Sequence, residues 1–177
     1  MVELSKILND TIDTALNTLG DHYVDTYGIT GTGKGKLIAK QKLGDYIVDH
    51  TRAVVHVDPA NDAEMARVEK VRWLAQGDVD AIPVPAARVI TDDQASELAL
   101  AEEDKSLASI APHQVGQKVV RVEVTPTIID GSKQWFTKDV VLPLAVIAVR
   151  VQRTAGSTTV YLDPSTGETL GWAPPTP

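Results

Sequence analysis

A chain of 177 residues is the length of one domain, or of one domain with an extension, and 43% hydrophobic content is enough to build a core. With aromatics at only 5%, that core has to be mainly Val, Leu, Ile and Ala. A formal net charge of −7 with no basic cluster along the sequence argues against a nucleic-acid partner, and the lack of cysteine excludes disulfides, thiolate zinc sites and cysteine nucleophiles.

The first segment, from about Leu4 to Tyr27, predicts a long amphipathic helix. Leu8, Ile12, Ala15, Leu16, Leu19 and Tyr23 fall at steps of three and four. Gly20 costs about 1 kcal/mol in a helix interior, so a bend or an early end is expected there. Gly28 to Gly35 reads as a glycine-threonine break. Lys36 to His50 predicts a second helix, with Leu37, Ala39, Leu43, Tyr46 and Ile47 as its apolar positions. Leu19–Asp25 and Leu43–Asp49 match at five of seven positions, the pattern of a duplicated helical hairpin.

Ala53 to Val57 predicts a buried strand ending at Asp58-Pro59. Asn61 and Glu64 have the spacing of a capping box, so a helix is expected through Met65, Val68, Val71 and Ala75, closing at Gly77. Asp80 to Ile90, with two prolines, predicts an extended segment or edge strand. Thr91 and Gln94 form a second capping box, opening a helix to about Ala111 that is acidic in its middle (Glu97, Glu102, Glu103, Asp104) and stops at Pro112.

From Val115 to Trp172 the chain alternates with period two and is cut by turns, the pattern of an antiparallel meander. Val120, Val122 and Val124 alternate with Arg121 and Glu123, and Asp130-Gly131 breaks the run. Trp135–Leu144, Val146–Arg153 and Val160–Leu162 are further strands, and residues 173–177 are an extended proline-rich tail. The expected class is α+β: a helical N-terminal half packed on a C-terminal antiparallel β-meander. Its regions are residues 1–112 (mainly helical, with one or two short strands), 113–172 (the meander) and 173–177 (the tail).

Gly28-Ile29-Thr30-Gly31-Thr32-Gly33-Lys34-Gly35 has G-x-x-x-x-G-K spacing and resembles the Walker A loop of nucleotide triphosphatases. That resemblance implies phosphate binding by Gly31, Gly33 and Lys34. The chain departs from the pattern where Gly35 stands in place of the magnesium-binding Ser or Thr, which favours a plain linker. His56 and Asp58, two apart on a strand and joined by His50, are weak metal or acid/base candidates. Asp21 with Asp25, and Asp45 with Asp49, are spaced as carboxylate pairs on helices. The segment Val160–Gly171, with its Asp163-Pro164-Ser165-Thr166-Gly167 turn, resembles the closing hairpin of PepSY-type domains over about a dozen residues.

No cofactor fingerprint is complete, and no motif assembles a nucleophile, a base and an orienting group. The leading expectation is a non-enzymatic structural or assembly protein, such as a phage head or tail component, acting through a homo-oligomer or a protein partner. The alternatives are a small nucleotide- or phosphate-binding enzyme using the glycine loop, and a regulatory small-ligand-binding domain. No basic leader opens the sequence and no apolar run nears the roughly 20 residues of a membrane span. The expected setting is therefore the cytoplasm or a particle assembled there, with no membrane partner.

Overall fold

The computed structural model describes residues 2–30, 32–61, 63–132 and 134–176. The chain forms two compact units, Met1–Ala81 and Ile82–Pro177.

The first unit opens with helix α1 (Val2–Asn17), followed by strands β1 (His22–Ile29), β2 (Gly35–Leu43), β3 (Tyr46–Val48), β4 (Arg52–Val57) and β5 (Ala66–Arg72) and a short helix, α2 (Gln76–Asp80). The strands are antiparallel: β1 pairs β2, β2 pairs both β3 and β4, and β4 pairs β5. The period-3.6 face expected over Leu4–Tyr27 forms only in part, since α1 ends at Asn17 and Tyr23 is an exposed residue of β1. Ile12, Ala15, Leu16 and Leu19 are buried on Leu37, Ala39, Val55 and Val57, so this unit's own sheet closes the helix.

The second unit opens with helix α3 (Asp92–Ile110) and a 3₁₀ turn at Pro112–Gln114. Strands β6 (Val119–Ile129), β7 (Trp135–Phe136), β8 (Leu144–Arg153), β9 (Gly156–Leu162) and β10 (Thr169–Thr176) follow. Their order in the sheet is β6-β8-β9-β10-β7, all antiparallel. Each unit is thus a helix followed by a meander, with the small β3 and β7 added.

The expected helical N-terminal half is overturned. Strands make up 42% of the chain and helix 23%, and α3 lies in the second unit. The physical reasons are local. The first helix stops at Asn17, where Gly20 takes φ +74° and its N–H bonds back to Asn17, so glycine terminates the helix rather than bending it. Lys36-Leu37-Ile38-Ala39-Lys40 fits period two as well as period 3.6, and pairing with β1 and β4 decides for the strand. Leu19–Asp25 and Leu43–Asp49 are alike because each is a positive-φ glycine turn (Gly20, Gly44) running into a strand. Asn61 does accept the Glu64 N–H on Oδ1, at 3.3 Å, but in the turn between β4 and β5. The expected helix after it is β5. Asp80–Ile90 holds the end of α2 and no strand, and residues 173–176 belong to β10 rather than to a free tail.

Helix α3 begins as foreseen. Thr91 Oγ1 accepts the Gln94 N–H at 3.2 Å while Gln94 Oε1 accepts the Thr91 N–H at 2.9 Å. Its inward face is Ala95, Ala99, Glu103 and Leu107, at steps of four. The alanines let the helix settle closely on Ile147, Val149, Val160, Leu162 and Trp172. One turn further along, Glu103 is wholly buried and meets Arg153 of β8, which donates from Nε at 3.2 Å and from an Nη at 2.8 Å. Thr158 Oγ1 donates to the same carboxylate at 2.6 Å, and Arg153 also donates to the Gln117 carbonyl at 2.6 Å. The Glu103 hydrogen bonds raise the Arg153 pKa above its usual value, so this guanidinium is permanently charged. Arg153→Ala leaves a buried carboxylate without its cation, and urea unfolding should show a loss of about 3–5 kcal/mol, while the combined Glu103→Leu, Arg153→Met variant should stay close to the wild type.

Candidate functional site

The glycine loop is a hairpin turn between antiparallel strands, not a strand-to-helix loop. The Thr30 N–H donates to the Lys34 carbonyl at 2.9 Å, the Gly33 N–H to the Thr30 carbonyl at 2.8 Å, and Thr30 Oγ1 to the Lys34 carbonyl at 2.8 Å. These donors close the turn on itself, whereas a phosphate loop aims its N–H groups outward from a helix N-terminus. Gly35 is glycine because β1 comes so close: a Cβ there would sit 2.1 Å from the Gly28 carbonyl oxygen. Gly33 holds φ +80° against Pro59 and Leu8. Gly31 lies outside the described residues.

Lys34 Nζ is 2.7 Å from Asp58 Oδ2. The hydrogen bond from Lys34, reinforced by the Ala60 N–H, holds the Asp58 carboxyl below the usual aspartate range. His56 Nε2 lies 2.8 Å from Glu69 Oε2, and that contact keeps Glu69 below the usual glutamate range. His56 and Asp58 thus face different partners. His50 stands in the turn after β3, and among the described residues no group of three or more His, Cys, Asp or Glu side chains could hold a metal ion. The paired aspartates do not sit on helices: Asp21 and Asp45 are in turns, Asp25 is in β1, and Asp49 binds Lys40 at 2.6 Å.

What the structure does bring together is the face of the first unit's sheet turned away from α1. Directly opposed residues on antiparallel strands share a face. Lys36 opposes His56 and His56 opposes Arg67, making one row across β2, β4 and β5. Ile38, Val54 and Glu69 make the next. Continuing the β2–β4 register puts Lys40 beside Arg52, which opposes Arg72 in a third row. A β-bulge at this end of β5 leaves Val71 57% exposed. Lys40, Arg52 and Arg72 line a groove of about 400 Å³ together with Ile38, Val71, Asp25 and Asp49.

The face therefore carries two cationic rows on either side of Ile38, the buried Val54 and Glu69, on a chain whose net charge is −7. It went unseen in the sequence because its cations come from three strands. The signal that could have found it is the alternation Lys36-x-Ile38-x-Lys40 against Leu37-x-Ala39. Among the described residues no helix is long and apolar enough to cross a membrane. Compared with family models, curated proteins and solved structures, the chain matches none.

Replacing Lys34 by Ala should let the Asp58 carboxyl rise toward about 3.9, the ordinary aspartate value, in an NMR titration. A folded-state pKa that is depressed contributes stability above the unfolded value and loses it as pH falls through the folded one. The variant should therefore lose less stability than the wild type between neutral and acid pH.

Proposed function

We propose that this chain is a non-enzymatic assembly protein that builds a homo-oligomer, with the open face of its first sheet as a contact surface. The observation that carries the reading is the pattern on that face: two rows of Lys and Arg on either side of Ile38, Val54 and Glu69, on a chain whose net charge is −7. The complement of such a face is an acidic surface, and the rest of this chain, with its excess of Asp and Glu, supplies acidic surface in quantity.

The reactive groups singled out in the sequence add to this reading. Lys34 and Asp58 satisfy each other, as do His56 and Glu69. The apolar face of α1 no longer argues for a partner, since it is spent on the chain's own core. The open sheet face takes its place as the reason for assembly.

Light scattering over a wide range of concentration tests the proposal. The expected result is a mass that climbs above the 19.0 kDa of one chain as concentration rises. A mass fixed at one chain throughout would overturn self-assembly. If ATP with magnesium also stabilised the protein, and Lys34→Ala abolished that effect, the nucleotide-binding alternative would replace it.

A further inference from the structure

We propose that the groove in the first unit binds a small organic monocarboxylate, with its carboxylate on Arg52 and its apolar body on Ile38 and Val71. The proposal goes beyond the assembly reading and does not depend on it.

Three observations point to an anion there. Arg52 of β4 directly opposes Arg72 of β5, so two cationic side chains start from Cα atoms about 5 Å apart. Like charges placed directly opposite on neighbouring strands destabilise the pair, and an anion set against them turns that repulsion into attraction. The cations of the groove also differ in what already holds them. Lys40 Nζ is engaged by Asp49 Oδ1 at 2.6 Å, whereas among the described residues no hydrogen bond or ion pair holds the exposed Arg52. The third observation is the shape. The groove of about 400 Å³ includes Ile38 and, at the bulge of β5, Val71, which is 57% exposed. Small-molecule sites have volumes of about 300–1,000 Å³ and combine apolar walls with a few polar groups.

The lining also selects the anion. Asp25 and Asp49 stand on the same groove and repel a second negative charge, so a monoanion fits where a phosphate dianion does not. A guanidinium fork matches the two oxygens of a carboxylate. Ile38 and Val71 gain only from an apolar group that removes them from water, which makes the rest of the ligand a short hydrocarbon.

Isocaproate, a branched short-chain acid, is the probe. Binding is read from the melting temperature of the full-length chain and from NMR of the Ile38 and Val71 methyl groups. An acid of about eight non-hydrogen atoms should bind with a Kd of about 1 mM. At about twenty times that concentration the melting temperature should rise by about 3–6 °C over sodium chloride of equal ionic strength. Isohexanol, which lacks the charge, and acetate, which lacks the body, should each bind at least about tenfold more weakly. Arg52→Gln should weaken isocaproate by about tenfold or more, yet without ligand it should melt about 1–2 °C above the wild type, because the opposed charge is gone. Lys34→Ala, at the glycine hairpin, should bind as the wild type does.

Stabilisation no greater than that given by sodium chloride, equal binding by Arg52→Gln, unmoved Ile38 and Val71 methyl signals, or tighter binding of inorganic phosphate would each overturn the proposal. An Arg52→Gln chain that melts below the wild type without ligand would overturn it too, by making Arg52 a support of the fold. Isocaproate bound by a chain that is monomeric at every concentration would leave the proposal standing and remove the assembly reading. A chain that assembles and ignores isocaproate would do the reverse.

Discussion

The buried ion pair between Glu103 and Arg153 determines what the second unit can be. A carboxylate taken out of water costs several kcal/mol unless nearly all of its hydrogen-bonding capacity is met. Here Arg153 and Thr158 meet it from β8 and β9, and α3 can satisfy that geometry in only one rotation and one register. With Glu103 turned inward, Ala95, Ala99 and Leu107 follow it at the same helical angle, and Asp93, Glu97 and Asp104 are carried to the outside. The pair adds little net stability compared with a well-packed apolar substitute. Its consequence is orientation: it fixes which side of an otherwise weakly amphipathic helix faces the core.

The same economy runs through the first unit. One helix covers one face of a sheet, and the alternation of the strands sorts residues between the covered face and the open one. Leu37 and Ala39 go under α1, and Lys36, Ile38 and Lys40 go to the other side. On β4, Ala53, Val55 and Val57 alternate with Arg52, Val54 and His56 in the same way. Val54, on the side turned away from α1, is buried as well. The outer strand β5 carries Arg67, Glu69, Lys70 and Arg72, charges that discourage unplanned pairing along an exposed strand edge.

How far the fold was legible depended on whether the deciding interaction was local. The capping box at Thr91 and Gln94, the strands at Ala53–Val57, Val120–Val124, Val146–Arg153 and Val160–Leu162 and the Asp163–Gly167 turn are signalled by local patterns and form, whereas of the strand expected over Trp135–Leu144 only Trp135–Phe136 is a strand, paired with β10, and Leu144 opens β8. In the Asp163–Gly167 turn Asp163 Oδ1 accepts the N–H groups of Ser165 and Thr166 at 2.7 and 3.0 Å. Residues 36–50 and 65–75 were not legible in this way. Their apolar positions satisfy two periods at once, and the choice is made by backbone pairing with β1 and β4. Glu103 looked like part of a surface acidic run for a similar reason, since its partner is fifty residues away along the chain. Of the candidate site, Lys34, His56 and Asp58 were visible as residue types, but their partners and the cationic rows exist only once the strands are side by side.

Net charge was a poor guide here for a physical reason. A sum of −7 describes the field felt from far away, but at about 8 Å, the screening length at physiological salt, a partner feels only the nearest side chains. Within that range the open face presents Lys36 and Arg67 at one end and Lys40, Arg52 and Arg72 at the other, offset in part by Glu69, Asp25 and Asp49. Lys40 and His56 are already paired with Asp49 and Glu69, which tempers the cationic field without abolishing it. Exposed charges of this kind contribute little affinity one by one. With Val54 buried between the rows, what this face shows solvent is mainly their charge, together with the exposed Val71.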